Sequence, residues 1–178
     1  MFHRSQNLLL RPIWPEDWQG VLAGIADEGV VRNLARAPWP YGAEDARQLT
    51  MLPSLPKYPR FLITRARDAA VVGCIGIDPN EGNVELGYWI ARQHWGRGFA
   101  TEAGAAVLEI ARTLGHSRVV ASHFLDNPAS GRVLEKLGFV PTGRVIERHS
   151  CGRGEKALTS EYVRDLMDQE AEEGRAAA

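Results

Sequence analysis

Only two cysteines occur in the 178 residues, and Cys74 and Cys151 have neither the spacing of a zinc motif nor that of a redox pair. A disulfide framework is thereby excluded, and both read as reduced thiols of an intracellular chain that holds no metal. An excess of charge of one sign is missing too: 21 Lys and Arg meet 22 Asp and Glu, so there is no broad electrostatic footprint for nucleic acid. No apolar run approaches the roughly 20 residues of a membrane span. The first residues, Met1-Phe2-His3-Arg4-Ser5-Gln6, lack the apolar stretch of a signal peptide. A cytoplasmic chain without a membrane or nucleic-acid partner is expected.

What is present is apolar material in quantity, 44% of residues with five tryptophans. That is ample for one core over residues 1–167, followed by an acidic, Ala-rich extension at 168–178. Residues 7–12 read as a first strand stopped at Pro12. A helix is expected over 15–27, a helical stretch within 28–36, and another helix over 43–52, after a Pro- and Gly-punctuated loop at 37–42. Strands follow at 60–65 and 70–78, a turn at 79–83, and a strand at 84–91. A helix over 98–114, a strand over 117–125 and a helix opened by Asn127-Pro128 come next. Strands at 139–147 and 158–166, joined by a polar loop rich in Gly and Arg, complete the chain. The sum is an α+β (mixed α/β) fold of about seven strands and four or five helices layered around one sheet.

The most informative segment joins strand 84–91 to helix 98–114: Gln93-His94-Trp95-Gly96-Arg97-Gly98-Phe99-Ala100-Thr101. Glycines between a strand and a helix let backbone N–H groups approach a ligand, and the helix start offers unpaired donors and a partial positive charge. A phosphate or pyrophosphate suits that geometry. A Walker A loop would need Gly-Lys-Ser/Thr, which is lacking. A dinucleotide fingerprint would need an acidic residue roughly 20 positions on, and Arg118-Val119-Val120-Ala121-Ser122 supplies none. The pattern Gln/Arg-x-x-Gly-x-Gly/Ala fits Gln93 to Gly98 without a gap.

Together with Glu85-Leu86-Gly87-Tyr88-Trp89-Ile90 before it, and Asn127-Pro128-Ala129-Ser130 and Leu137-Gly138-Phe139 after it, this loop resembles the GNAT superfamily of acetyl-CoA-dependent N-acetyltransferases. The branch most similar is that of the ribosomal-protein N-terminal acetyltransferases, and the likeness runs from residue 7 to about 147. It implies a GNAT-like, mostly antiparallel central sheet, with acetyl-CoA as co-substrate and acetyl transfer to an amine. The grip on the donor falls to Gln93, Gly96, Arg97, Gly98, Phe99, Ala100 and Thr101. The resemblance further implies that Ile90 and Ala91 bond the pantetheine arm as an added strand would, with Asn127 also touching it.

Acetyl transfer from a thioester needs a neutral amine, a stabilised oxyanion and a protonated leaving thiolate. Glu85, sharing one strand face with Gly87 and Trp89, is the expected base. His123, Asp126 and His149 are held in reserve. Ser130 matches the serine proposed as general acid in the similar branch, although a hydroxyl in a helix's first turn also bonds backbone. Trp39 and Tyr41 on the proline-rich loop are candidates for the acceptor pocket. Arg144, Arg148 and Arg153 read as a solvated face. Cys74, in an apolar strand without a neighbouring histidine, is no acyl-enzyme nucleophile, so direct attack in a ternary complex is expected. The acceptor, a protein N-terminus or a small-molecule amine, stays open, as does a homodimer. A non-catalytic acyl-CoA-binding module is the alternative.

Overall fold

The computed structural model describes residues 1–53 and 55–167; the expected extension at 168–178 lies outside them. Along the chain, β1 (His3–Arg4) and β2 (Leu8–Pro12) lead into a 3-10 turn, then α1 (Trp18–Ile25), α2 (Glu28–Val31) and α3 (Ala43–Thr50). Three strands follow, β3 (Arg60–Arg65), β4 (Val71–Asn80) and β5 (Asn83–Ile90), and then α4 (Phe99–Thr113). The chain continues through β6 (Arg118–Phe124), α5 (Pro128–Lys136), β7 (Val140–Ser150) and β8 (Glu155–Asp165). One eight-stranded sheet results, in the order β1-β2-β3-β4-β5-β6-β8-β7. It is antiparallel throughout except for β5 beside β6. The eighth strand is the two-residue β1, too short to leave a periodic signal.

Local chemistry sets most boundaries. The expected helix over 15–27 divides in two. Pro15 opens a 3-10 turn, and the Asp17 carboxylate accepts from the Trp14 N–H at 2.8 Å. Asp27 caps α2 by accepting from Gly29 N–H at 2.8 Å, and Asn127 caps α5 by accepting from Ser130 N–H at 3.3 Å, each satisfying a donor that the helix start leaves unpaired. The turn expected over 79–83 narrows to Glu81-Gly82, so β4 runs on through Pro79 and Asn80.

The polar segment expected as a loop after residue 147 is instead the far end of a long hairpin, β7 and β8 with only Cys151 to Gly154 between them. Tertiary bonds hold it there. Ser150 donates its hydroxyl to Leu34 C=O at 2.8 Å, and Cys151 N–H donates to Ala35 C=O at 2.9 Å. The hairpin tip is thereby tied to the loop that follows α2.

The sheet buries a different cluster on each face. Under α4 and α5 lie Leu10, Phe61, Ile63, Leu86, Ile90 and Val119, with Val107 and Leu134 from the helices. Under α1 to α3 lie Val21, Ile25, Val31, Leu62, Cys74 and Trp89. Alternation along β5 therefore puts Leu86 and Ile90 on the α4–α5 side and Trp89 on the α1–α3 side.

Pairing between β5 and β6 is confined to Val84 with Val119 and Glu85 with Val120. Beyond those residues the two strands part, and the sheet opens into a cleft at its centre.

Candidate active site

A cavity of about 1180 Å³ occupies that cleft. It reaches from the start of α4, past the diverging strands, to the surface of α1 to α3. At the α4 end, Gly96 and Gly98 have φ of 72° and 77°, and nothing lies within 4 Å of where a Cβ would stand on either. Side chains rarely adopt that backbone region, and glycine keeps the surface above the loop clear. The first intrahelical bond runs from Glu102 N–H to Gly98 C=O at 3.0 Å. The N–H groups of Phe99, Ala100 and Thr101 thus have no acceptor within α4, at the positive end of a 15-residue helix. Arg97 lines the cavity, as do Arg132 and Lys136 of α5, two cations that no motif had marked. His94 packs beneath the loop, its ring 6.1 Å from that of Phe99. Burial first, then the charges of Arg65 and Arg97, depress its pKa, so its ring is neutral at pH 7.

Ala91 N–H donates to Val72 C=O at 2.8 Å, and Ala91 C=O accepts from His94 N–H at 2.8 Å. Both groups are committed, and Ala91 does not line the cavity; the expected bond from Ala91 to a pantetheine arm is corrected on that ground. Strand alternation then turns the backbone groups of Tyr88 and Ile90 away from β4, toward the opening. Ile90 C=O accepts from Trp95 Nε1 at 2.7 Å, which pins the loop to the strand end. The open edge thus belongs to Tyr88 and to the Ile90 N–H.

On the α1–α3 side, Glu85 is buried to 17% side-chain exposure. Its Oε1 accepts from Arg148 Nη1 at 2.6 Å and from Ser122 Oγ at 3.3 Å, and its Oε2 from Asn80 Nδ2 at 3.3 Å. Arg148, read from sequence as part of a solvated face, is instead the partner of the candidate base. Arg153 and Arg144 are likewise paired, with Asp126 at 2.8 Å and Glu161 at 3.2 Å.

On the opposite side of the opening, Ser130 Oγ lies 2.7 Å from the Tyr88 hydroxyl. Burial raises the Tyr88 pKa, and the bond to Ser130 acts the other way. Tyr88 escaped sequence reasoning because its partner lies 42 residues away.

The reserve bases are placed as follows. His123 donates Nδ1–H to Phe124 C=O at 2.8 Å and packs on Tyr162 at 5.5 Å between ring centres. Asp126 is held below the ordinary carboxylate range, foremost by the Arg153 guanidinium. It is bridged to Arg32 as well, at 2.9 Å. His149 is exposed on β7, away from the cavity. Tyr41 lines the cavity beside Asp45 and Leu49 of α3, its hydroxyl pushed up to about 12 by burial, then by Asp45 and Cys74. Trp39 is 41% exposed and, like Gln93, lies outside the cavity lining. Asn127, Gly96, Arg97, Gly98, Phe99, Ala100 and Thr101 all line it.

A family model described as acetyltransferase (GNAT) domain matches residues 7–140. The chain belongs to the GNAT acetyltransferase family. Among GNAT relatives, the Bacillus subtilis protein YoaA, described as an uncharacterised N-acetyltransferase, is 28% identical over 172 residues, covering 89% of this chain and 93% of YoaA. A GNAT-family acetyltransferase from Bacillus anthracis superposes with a TM-score of 0.80 at 23% identity, covering 93% and 99% of the two chains. The microcin C7 self-immunity acetyltransferase MccE, solved with acetyl-CoA and AMP, shares the fold with a TM-score of 0.73 at 17% identity, covering 90% and 93%. The GNAT identity makes this chain an N-acetyltransferase rather than a non-catalytic module. No helix among the described residues is long and apolar enough to cross a membrane.

Proposed function

We propose that this GNAT enzyme moves an acetyl group from acetyl-CoA to a primary amine by direct attack, with donor and acceptor bound together. The observation that carries this reading is the cleft itself, in which an open helix N-terminus and an unpaired strand edge share one cavity with a carboxylate. Pyrophosphate suits the Phe99–Thr101 N–H groups with Arg97 beside them, and the pantetheine arm suits the edge presented by Tyr88 and Ile90.

Glu85 and the Ser130 hydroxyl lie on opposite sides of the parted strands. An amine entering from the α1–α3 side meets Glu85, whose Oε2 has one contact at 3.3 Å and spare acceptor capacity for an amine or a bridging water. The nitrogen attacks the thioester carbonyl carbon, the C–S bond breaks with its electron pair on sulfur, and Ser130 faces the departing sulfur. Cys74 takes no part: it is buried, and desolvation foremost pushes its thiol well above the ordinary range, which disfavours the nucleophilic thiolate.

The acceptor is a protein N-terminus or a small-molecule amine. An α-amine, with a pKa of roughly 8, is easier to neutralise than a lysine at about 10.4. Calorimetry with acetyl-CoA, followed by free-thiol release over a panel of N-terminal peptides, polyamines and amino sugars, tests the reading. Binding together with amine-dependent thiol release supports it, and failure to bind acetyl-CoA overturns it.

A further inference from the structure

The pair formed by Tyr88 and Ser130 has a direction. Each hydroxyl has one proton to give, and they stand 2.7 Å apart across the cleft wall. A phenol, at about 10, is a far stronger acid than an aliphatic hydroxyl near the roughly 15.7 of water, so Tyr88 donates and Ser130 accepts. Ser130 is fixed from behind, its N–H held by the Asn127 side chain at 3.3 Å. Its own hydroxyl proton has no acceptor among the described residues, and the residue lines the cavity. Burial, as the leading influence, keeps the Tyr88 phenol protonated, so this donor is present across the pH range in which amines become nucleophilic.

We propose that Tyr88 is the positioning residue behind Ser130: it donates to Ser130 Oγ, turns the serine's own proton into the cavity, and resupplies that proton as the thiolate departs. The inference rests on the acetyl-CoA reading above. When the C–S bond breaks, the electron pair goes to sulfur, the Ser130 proton moves to sulfur, and the Tyr88 proton moves to Ser130 Oγ. The phenolate recovers a proton from solvent once the thiol product leaves. The proton shed by the amine goes to solvent by way of the base, so none accumulates. Ser130 alone would give its proton to a thiolate, whose acid ionises near 8.5, at a deficit of about seven units; with the phenol behind it the deficit falls to a few.

The test needs no acceptor. Calorimetry with CoA and with desulfo-CoA measures the grip, and ultraviolet absorbance of the thiolate follows ionisation of bound CoA from about pH 6 to about pH 10, spanning the ordinary thiol value. In the wild-type protein the bound thiol is expected to show about tenfold more thiolate than free CoA at the same pH, the scale of one hydrogen bond to a charge. Tyr88→Phe and Ser130→Ala lose most of that excess while desulfo-CoA affinity stays within about threefold, since neither change removes a phosphate contact. A merely structural tyrosine would leave the thiol titration unmoved. An unshifted thiol in the wild-type protein, or an identical titration in Tyr88→Phe, overturns the proposal. Should Tyr88→Phe fold poorly, 3,5-difluorotyrosine at position 88 keeps the ring and acidifies the phenol. It is expected to increase the thiolate excess, and no change there overturns the proposal equally. If neither CoA nor desulfo-CoA binds the wild-type protein, the acetyl-CoA reading fails and this inference with it.

Discussion

On the acetyl-CoA reading proposed above, Gly98 meets a backbone demand and a ligand demand at one position. Its φ of 77° costs a side-chain-bearing residue about 1–2 kcal/mol, and a branched side chain would also stand where backbone donors must be approached. Gly98→Val is expected to weaken acetyl-CoA binding by at least about tenfold, the equivalent of roughly 1.4 kcal/mol, and calorimetry reads it directly. Glu85→Gln keeps an acceptor for Arg148 but removes the basic oxygen. With the amine that the acceptor screen returns, kcat should fall by roughly a hundredfold or more, the usual scale of a lost general base, while acetyl-CoA affinity holds. An unchanged kcat would assign Glu85 to the ion pair alone. Cys74→Ala, by contrast, should retain activity, and a pathway acetyl-cysteine trapped by mass spectrometry would exclude direct attack. At this scale the sequence was informative where a residue's own backbone sets the geometry, since Gly96 and Gly98 both hold positive φ beneath open space. It gave Tyr88 no role and read Arg148 as solvated, because their partners, Ser130 and Glu85, lie far along the chain.

Among the elements, α4 has a second task besides presenting its N-terminus. Glu102, one turn in, accepts from Ser5 Oγ at 2.6 Å, Asn7 N–H at 2.7 Å and Asn7 Nδ2 at 3.0 Å. These bonds moor the segment between β1 and β2 to the helix that bears the loop. Burial pushes the Glu102 carboxyl up, but the hydrogen bonds outweigh it and hold the pKa below its ordinary value. A depressed folded pKa stabilises the fold above the unfolded value, near 4.3, and that contribution is lost as pH falls through the folded value. Hydrogen exchange across residues 3–12 should therefore accelerate as pH falls below about 4, relative to the rest of the sheet. Glu102→Gln should show faster exchange there already at pH 7, with ~2 kcal/mol less stability, the scale of a lost charged hydrogen bond. Equal protection in both proteins at pH 7 would exclude the mooring role. Elements with a local signature were legible, α5 above all through Asn127-Pro128. The far end of the β7–β8 hairpin, beyond the strands expected at 139–147 and 158–166, was not, because its polar residues are held by Leu34, Ala35 and Glu85 rather than by apolar alternation.

Taken as a whole, the molecule is two blocks of sheet, β1 to β5 and β6 with the β7–β8 hairpin, meeting edge to edge at two residue pairs. The hairpin tip reaches back over the gap to the loop after α2. Layering and the single sheet followed from the order of elements, since strand, helix and turn signals agreed along most of the chain. The parting of β5 and β6 left no trace in the letters, because both strands are as apolar as paired ones.

That seam makes heat resistance a function of donor supply. A ligand that touches both blocks and only the folded state adds stability that grows with its concentration, about 2.7 kcal/mol at a hundredfold excess over Kd. For a chain of this size the melting temperature should rise by roughly 5–10 °C. Calorimetric scans at increasing acetyl-CoA should trace that logarithmic climb, and a flat response despite measured binding would mean that the blocks melt independently of what fills the seam. Stripped of donor, the protein should begin to exchange its amides along the facing edges of β5 and β6 before its outer strands loosen.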